Sequence, residues 1–472
     1  MKKILASIVL CFLFSINGKA QTGVGIGTVT PKALLNVAEN GTVLFGNDTT
    51  GAGAKLMWIP SKSAFRAGVI GPTPGSLNED GSIWDYDSIG LYSFAIGLQN
   101  RAKNLGAVAM GGNNSTTGIY GMSIGYGNVN KGQYGFVSGF DNTVNSGAVT
   151  AVTGSNNIVS GNYNTVSGQG NVVSGNNAFV SGHGDTVNAS FGFTLGNDCE
   201  NNGVMSFLSG YRNRMNGSYA ASMGEGNVIN FSRCFVFGSY NDSIAEKNNN
   251  IPYLASPLFI VGNGTGESAR KNAMVILKNG YTGFGVNDPT APVHIRADGS
   301  TGYPQLRLEE KSTTDYSRIS FENENPGFWE VAGYSQPLLA SVSAAQFNFY
   351  FSRSGINVLS LKGNGNAVLD GTLTQSSDER LKKNIFPLKN VLSKLAALNG
   401  YTYQWKDSSK GTEEQIGFIA QEVEKQFPQL VQTNDKGMKS VAYANMGPVL
   451  LEAIREQQVQ IDELKKMINT RK

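Results

Sequence analysis

Cysteine and histidine are scarce in this sequence. Its 472 residues contain 3 Cys and 2 His. Only Cys199 and Cys234 follow the apolar N-terminal segment, and two cysteines are too few for a disulfide framework. The two histidines, His183 and His294, supply almost no material for a histidine-based metal site. We therefore expect a protein that carries neither a metal nor a cofactor.

The sequence also lacks an excess of one charge and long apolar runs. It has 38 Lys and Arg against 35 Asp and Glu, a net charge of +3, with no block of basic residues. A nucleic-acid partner is therefore not expected. After the N-terminal segment, no apolar run approaches the roughly 20 residues that a membrane helix needs. We expect no transmembrane segment in the mature chain.

The N-terminus has the features of a secretory signal peptide. Met1-Lys2-Lys3 form a charged start, residues 4–16 are apolar, and small residues lead to Ala20. Signal peptides have this order of charged, apolar and small-residue regions. We predict that residues 1–20 are removed on export, which makes the protein secreted or displayed on a bacterial cell surface.

Glycine is abundant, at 59 residues, and it recurs with a fixed period. A spacing of 14 residues, with one step of 15, marks eleven coils, and in nine of the eleven an Asn follows three positions after the Gly. Such a short period is typical of a β-solenoid, in which each coil stacks on the next about 4.8 Å away. The repeating glycines are Gly97, Gly111, Gly125, Gly139, Gly154, Gly168, Gly182, Gly196, Gly210, Gly224 and Gly238.

The strand before each repeating glycine has two apolar faces. Phe94 and Phe136 stand three positions before their glycines, and Ala95 and Val137 stand two positions before them. Successive strand residues point to opposite faces, so both faces should be buried. A single thin coil can bury only one face. We therefore expect the other face to pack against a neighbouring chain.

The residues of these strands resemble a known family. Phe94-Ala95-Ile96-Gly97 and Met122-Ser123-Ile124-Gly125 are similar to the head repeats of trimeric autotransporter adhesins, and the resemblance covers residues 92–245. The resemblance implies a left-handed parallel β-roll with three chains side by side, and hence a homotrimer. The family leaves the ligand open, and a surface glycan or another cell-surface ligand is the partner that we consider.

Segments of other composition flank the repeats. Period-two alternation at residues 305–309, 318–322, 346–351 and 358–361 predicts half-buried strands of a small β domain. Core packing is the default role for its aromatic residues, and a sugar-binding surface that includes Trp329 and Tyr334 is the alternative. The predicted boundaries are 21–91 for an N-terminal β connector and base, 92–245 for the solenoid, 246–302 for a connector, 303–376 for the β domain and 377–472 for a C-terminal module.

The C-terminal module reads as a mixture of helices and short strands. Residues 388–398 carry apolar residues on one helical face after Pro387, and residues 401–405 read as a strand. A hairpin is expected at residues 434–437. From about Tyr443 a long helix repeats Ile every seven residues over about three heptads, which predicts a coiled coil of two or three strands. The fold class is therefore mainly β, with a C-terminal α+β module that ends in a coiled-coil helix.

Three ordered motifs of this module carry a second resemblance. The run from Ser377 to Ile385, the run from Gly417 to Glu422 and the last helix are together similar to the intramolecular chaperone auto-processing domain of endosialidase tailspikes and related fibres. That family drives trimerisation of the preceding β-fibre and then cuts itself off. The resemblance implies cleavage between Ser376 and Ser377, with Ser377 as nucleophile and Lys382 as its base. The supporting motif residues are Asp378, Asn384, Gly417, Gln421 and Glu422.

The spacing of the Ser and Lys sets a geometric condition. On a continuous helix, residues five apart are about 140° apart around the axis, because each residue turns about 100°. Ser377 must therefore lie outside a helix, or else meet Lys382 of another protomer. The alternative is that Ser376 or Ser377 only caps a short helix, with Glu379 completing a capping box.

Three functions are compatible with the sequence. The first is a secreted trimeric fibre or adhesin whose C-terminal chaperone releases itself once by a Ser-Lys dyad. The second is a polysaccharide depolymerase with its active site on the solenoid or on residues 303–372. A carboxylate group at Asp185, Asp198 and Glu200 would suit such an enzyme or a cation site, but solvated coil corners are the favoured interpretation. The third is a fibre that keeps an uncleaved chaperone as a permanent trimer clamp.

Overall fold

The computed structural model of the chain describes residues 23–38, 41–71, 81–243, 253–298, 302, 304–324, 327–335 and 344–471. The predicted signal peptide, residues 1–20, lies outside these ranges. The chain forms two compact units that divide between Gln305 and Leu306. The expected mainly β fold class is confirmed, since strands dominate both units and helices longer than one turn occur only near the C-terminus of the described chain.

The first unit is a β-solenoid whose coils stack in parallel. Each of the eleven coils contributes a five-residue strand to one sheet, and the first ten also contribute a two-residue strand to a second sheet. The long strands are Phe94–Leu98, Val108–Gly112, Met122–Tyr126, Phe136–Phe140, Ala151–Ser155, Thr165–Gln169, Phe179–His183, Phe193–Asn197, Phe207–Tyr211, Ala221–Glu225 and Phe235–Ser239. The short strands are Arg101–Ala102, Ser115–Thr116, Val129–Asn130, Thr143–Val144, Ile158–Val159, Val172–Val173, Thr186–Val187, Glu200–Asn201, Arg214–Met215 and Val228–Ile229.

Inward-facing side chains from both sheets form much of the apolar interior of the coils. Val152 and Val166 of the long strands are buried, and so are Val159 and Val173 of the short strands. Burying a side chain of this size is worth about 1.5–3 kcal/mol, and one contribution of this kind recurs in coil after coil. The inner face that the sequence predicts is therefore the core of the solenoid.

A buried asparagine ladder holds the coils in register. Asn128 donates from its backbone N–H and its Nδ2 to Oδ1 of Asn114, at 3.0 and 2.9 Å. The same Nδ2 donates to the carbonyl oxygen of Gly139 at 2.9 Å, so one amide satisfies backbone groups that would otherwise be buried without a partner. The glycine column is required by space and by conformation. A Cβ on Gly125 would lie 2.1 Å from that same oxygen, and Gly125 has a φ of +119°.

The long sheet continues beyond the eleven coils. Gly68 aligns with Gly97 and Gly262 aligns with Gly238, so the glycine column has a further member at each end. The steps are 29 residues (97 − 68) and 24 residues (262 − 238), which hides them from a search for a period of 14. The flanking strands of this unit are Val24–Ile26, Leu35–Val37, Val43–Phe45, Gly53–Ile59, Ala64–Ile70, Pro257–Asn263, Asn272–Leu277, Thr282–Phe284 and Val293–Ile295.

The outer face of the long sheet carries an uncovered aromatic stripe. Phe179, Phe193 and Phe207 stack on one another with ring centroids 4.8 and 5.4 Å apart. Phe179 and Phe193 stay 38% and 37% exposed, whereas the Val and Ala residues next to the Phe positions are buried. The second apolar face predicted from the sequence thus exists, and one chain leaves it open.

The second unit begins with a five-stranded antiparallel sheet. Three of the four predicted strands are present, but residues 305–309 are not a strand, so that prediction is wrong. Their alternating pattern lacks a neighbouring strand to pair with. The strands are Ser317–Glu322, Phe328–Tyr334, Gln346–Phe351, Ile356–Lys362 and Ala367–Leu369.

The C-terminal module packs three helices around short hairpins. The helix expected over 388–398 is shorter, because only Val391–Leu395 is helical and Leu388 is exposed. The predicted hairpin at 434–437 joins two paired strands. The helices are α1 (Val391–Leu395), α2 (Ala420–Gln426) and α3 (Met446–Thr470), and the paired strands are Tyr401–Tyr403 with Gln415–Gly417 and Val431–Thr433 with Lys439–Val441.

Asp185 stands in the asparagine ladder and corrects the expectation of a solvated corner. Its relative exposure is 0%, and its Oδ1 accepts the N–H of Cys199 at 2.9 Å. Its Oδ2, which stands in place of an amide Nδ2, has no hydrogen-bond partner among the described residues. Burial raises the pKa of Asp185 to about 6, and the nearby Asp198 adds to the rise while the Cys199 N–H and His183 oppose it.

We expect Asp185→Asn to stabilise the solenoid at high pH only. The folded state holds a proton on Asp185 more tightly than an unfolded Asp with a pKa near 3.9, so stability falls as pH rises from about 4 to 6. A shift of about two units corresponds to a loss on the order of 2–3 kcal/mol above pH 6. Thermal unfolding at pH 4 and pH 8 measures the difference.

Asn171→Asp is the matched control, because Asn171 occupies the preceding ladder position. It should introduce a second pH-dependent loss of stability of the same sign. An equal gain for Asp185→Asn at both pH values would contradict this account of the ladder.

Candidate autoprocessing site

The segment that contains the predicted dyad forms a single 3₁₀ turn between extended residues. Asp378 caps the turn Glu379–Leu381, since its Oδ1 accepts the N–H of Arg380 at 2.9 Å. Lys382 follows in an extended conformation, with φ of −113° and ψ of 149°. The cap is therefore Asp378, and the capping role considered for Ser376 or Ser377 is not seen.

This turn brings the two predicted dyad residues together within one chain. Lys382 Nζ donates to Ser377 Oγ at 2.7 Å. A continuous helix would hold residues five apart on different faces, but here the chain is extended on both sides of a short turn. The geometric condition set by the spacing is met without a second protomer.

The dyad and its surroundings are exposed in the single chain. Residues 371–390 have no buried or half-buried member. Leu381 and Phe386 are 75% and 80% exposed, and Ile385 is also exposed. Exposed apolar side chains that cluster in one segment are typical of an interaction surface. The segment therefore has the composition of an interface that a lone chain leaves empty.

The supporting motif residues lie in two places. Asp378 pairs with Arg380 at 2.7 Å beside the dyad, and Asn384 has a left-handed φ of +55°. The others lie in the folded part of the module. Glu422 accepts the hydroxyl of Tyr401 at 3.0 Å, and Gln421 is exposed at the start of α2.

Gly417 makes room for a tyrosine that ties two motifs together. The hydroxyl of Tyr443 accepts the N–H of Phe418 at 2.9 Å. A Cβ on Gly417 would lie only 2.5 Å from this hydroxyl oxygen. The position of Tyr443, shortly before α3, thus explains why residue 417 of the middle motif is a glycine.

One residue of this module has no signal in the sequence. Glu456 of α3 accepts the backbone N–H groups of Val391 and Leu392 at 3.0 and 2.8 Å. The N–H groups of Leu392 and Val391 lower the pKa of Glu456. A carboxylate at a helix N-terminus is favourable, and this one joins α1 to a helix 65 residues later in the chain. Only the folded structure brings these groups together.

The long helix keeps an uncovered apolar seam. Met446, Val449 and Ala453 of α3 are buried against the module. The heptad residues of the same helix are exposed. Among the described residues, no helix is long and apolar enough to cross a membrane. The exposed heptad residues are Leu450, Ile454, Ile461, Leu464 and Ile468.

One comparison with known proteins concerns the C-terminal module. Residues 377–432 match the family model of the chaperone of endosialidase. The C-terminal module is therefore similar to that chaperone. This match confirms the resemblance predicted from the motifs, and it begins at Ser377.

Two further matches concern the rest of the chain. Residues 122–224 match the family model of a grass antifreeze beta roll, which agrees with the observed solenoid. The long tail fiber protein Gp37 of Salmonella phage S16 is 37% identical over 112 residues. That alignment covers 22% of this chain and 15% of the relative, so this chain spans a small part of the relative's length.

We expect Gly417→Ala to destabilise the C-terminal module by about 1–3 kcal/mol, because the added Cβ forces the Tyr443 hydroxyl away. Tyr443→Phe removes that oxygen, so the double variant should recover part of the loss. Chemical denaturation of the four proteins in the double-mutant cycle measures the coupling. Additive losses would show that the steric account is wrong.

Proposed function

We propose that this chain is an extracellular trimeric fibre protein whose C-terminal module promotes assembly and then removes itself by cleaving between Ser376 and Ser377. The similarity to the chaperone of endosialidase and to a tail fibre supports the coarse part of this function. The Ser377 and Lys382 pair supports the finer part. Secretion by means of residues 1–20 remains part of the proposal.

One observation carries the proposed cleavage. A serine hydroxyl is a weak nucleophile unless a base is within hydrogen-bond reach. Lys382 Nζ lies 2.7 Å from Ser377 Oγ, inside the range for proton transfer. The peptide bond to be broken adjoins the nucleophile itself, so the reacting carbonyl needs no separate binding site.

The chemistry balances within the chain and one water molecule. Neutral Lys382 takes the proton of Ser377 Oγ, and Oγ attacks the carbonyl carbon of Ser376. The bond from that carbon to the nitrogen of Ser377 breaks, and the nitrogen takes the proton back from Lys382. Water then hydrolyses the ester, which leaves a carboxylate on Ser376 and a free amine and hydroxyl on Ser377. The reaction occurs once for each chain.

The proposal links cleavage to assembly. A lysine acts as a base when burial lowers its pKa from the ordinary value of about 10.4. Both residues of the dyad are exposed in the single chain. Packing of Leu381, Ile385 and Phe386 against neighbouring protomers would bury the dyad. The uncovered seam of α3 and the aromatic stripe of the solenoid favour the same homotrimer.

The two alternative functions receive less support. A depolymerase needs an acid and a base in one cleft, but Asp185 is buried in the ladder and Glu200 pairs with Arg214 at 2.8 Å. Turnover of a polysaccharide panel by the mature protein would favour that function over ours. A fibre with a permanent clamp differs from our proposal only in the absence of cleavage.

We expect the full chain to yield a C-terminal fragment of 96 residues (472 − 376) on a denaturing gel. Ser377→Ala and Lys382→Ala should each abolish the fragment while light scattering still reports a trimer. Ser376→Ala is the matched control, since Ser376 supplies only its carbonyl, and cleavage should persist. Equal cleavage in all four proteins would contradict the proposed dyad. Absence of cleavage in the unaltered chain would favour the permanent clamp.

The 2.7 Å contact also predicts that each chain cleaves itself. Ser377→Ala and Lys382→Ala chains that are coexpressed with different tags should form mixed trimers without any fragment, because neither chain holds a complete dyad. If a lysine served the serine of a neighbour, the Lys382→Ala chain would be cut in mixed trimers. A fragment carrying that chain's tag would therefore contradict cleavage within one chain.

A further inference from the structure

The five-stranded sheet of the second unit has two unlike faces. Ile319, Phe321 and Trp329 lie on an apolar face and are exposed in the single chain. The opposite face carries polar residues. Arg318 and Asn348 lie on it, on either side of Ala332 on the strand between them. In the proposed trimer, the apolar face is available to pack against neighbouring protomers. The proposed function gives the polar face no part in assembly or cleavage.

A recess of about 460 Å³ opens on this polar face. Its size falls within the range of small-molecule sites, which combine apolar walls with a few polar groups. Phe328 and Tyr350 supply ring surfaces, with centroids 6.4 Å apart and planes tilted by 46°. We call it the Tyr350 recess, and the residues that define it are Arg318, Phe328, Glu330, Asn348, Tyr350 and Asn357.

Asn348 lines the Tyr350 recess with a hydrogen-bonding group that the protein does not use. Its relative exposure is 1%, and its Oδ1 has no hydrogen-bond partner in the described part of the chain. Its Nδ2 reaches Gln346 Oε1 only at 3.5 Å, the outer limit of a hydrogen bond. A buried amide without a partner is destabilising, so the fold gains nothing from this oxygen by itself. A ligand hydroxyl that reached this oxygen from the recess would supply the missing donor.

The charges of the Tyr350 recess are already neutralised. Arg318 lies 3.4 Å from Glu330, measured from Nε to Oε2, and it also pairs with Asp315. An anionic ligand would have to displace these carboxylates from the guanidinium. A cation would have to compete with Arg318 for the Glu330 carboxylate. The recess therefore favours a neutral ligand with several hydroxyl groups and an apolar face to lie on an aromatic ring.

We propose that the Tyr350 recess binds a neutral sugar unit of a glycan. A pyranose ring has C–H groups on its face and hydroxyls around its edge. Tyr350 and Phe328 contact the face, and Asn348 Oδ1 accepts a hydroxyl. The exposed side chain of Asn357, which aligns with Tyr350 on the next strand, offers a further amide to the edge.

The test uses the full chain and an array of neutral oligosaccharides of glucose, galactose and mannose, with sialylated and uronic-acid oligosaccharides as anionic comparators. Tyr350→Ala should reduce binding of the recognised neutral probe by about tenfold or more, because it removes a ring surface. Asn348→Leu should reduce it to a similar extent while thermal stability stays equal or rises, since the leucine leaves no unpaired buried amide. Ser320→Ala, on the same face outside the recess, should bind normally.

The outcomes separate this site from the proposed fibre function. Absence of binding to every neutral probe, binding of anionic probes alone, or equal binding by all variants would each overturn the neutral-sugar site. A marked loss of thermal stability in Asn348→Leu would instead give Asn348 a structural role and would also overturn its assignment. Light scattering and the 96-residue fragment (472 − 376) are recorded on the same proteins. A failure of assembly or cleavage is thereby distinguished from a failure of sugar binding.

Discussion

The solenoid depends on the buried asparagine ladder. Asn114 Oδ1 accepts from the coil that follows, and Asn128 Nδ2 also donates to the carbonyl oxygen of Gly139 in the next coil. These bonds close only when successive coils have nearly equal length and the glycine column lets the backbones approach. The 14-residue period is therefore a hydrogen-bonding requirement. It also aligns the outward side chains into continuous columns, so that a repeated Phe becomes a stripe of stacked rings.

Three separate parts of the chain share one physical problem. The solenoid stripe, the apolar face of the five-stranded sheet and the heptad seam of α3 all leave large apolar side chains in water. A monomeric protein seldom exposes several such surfaces along its length. Association of identical chains would cover them together, because parallel strands and parallel helices bring equivalent residues to the same level. The proposed trimer would cover all three surfaces at once, which supports it more than any one surface does.

The sequence predicted what depends on local repetition and missed what depends on distant partners. The stacked coils, the asparagine column and the two apolar strand faces followed from the repeat alone. Gly68 and Gly262 escaped because insertions break the spacing. Asp185 was misjudged because an aspartate at a turn is usually solvated, whereas here it replaces a buried amide. The start of the short α1 could not be predicted either, because its first N–H groups donate hydrogen bonds to Glu456, which lies far along the chain.

The dyad shows the same division. The motif supplied the identities of Ser377 and Lys382, but only the 3₁₀ turn capped by Asp378 explains how residues five apart touch. Their exposure then has a consequence for timing. Under the proposed mechanism, the base would become active only when neighbouring chains bury it, so an unassembled chain would keep its chaperone. Hydrolysis after assembly would then remove the segment that set the register, and a barrier to unfolding would hold the remaining fibre.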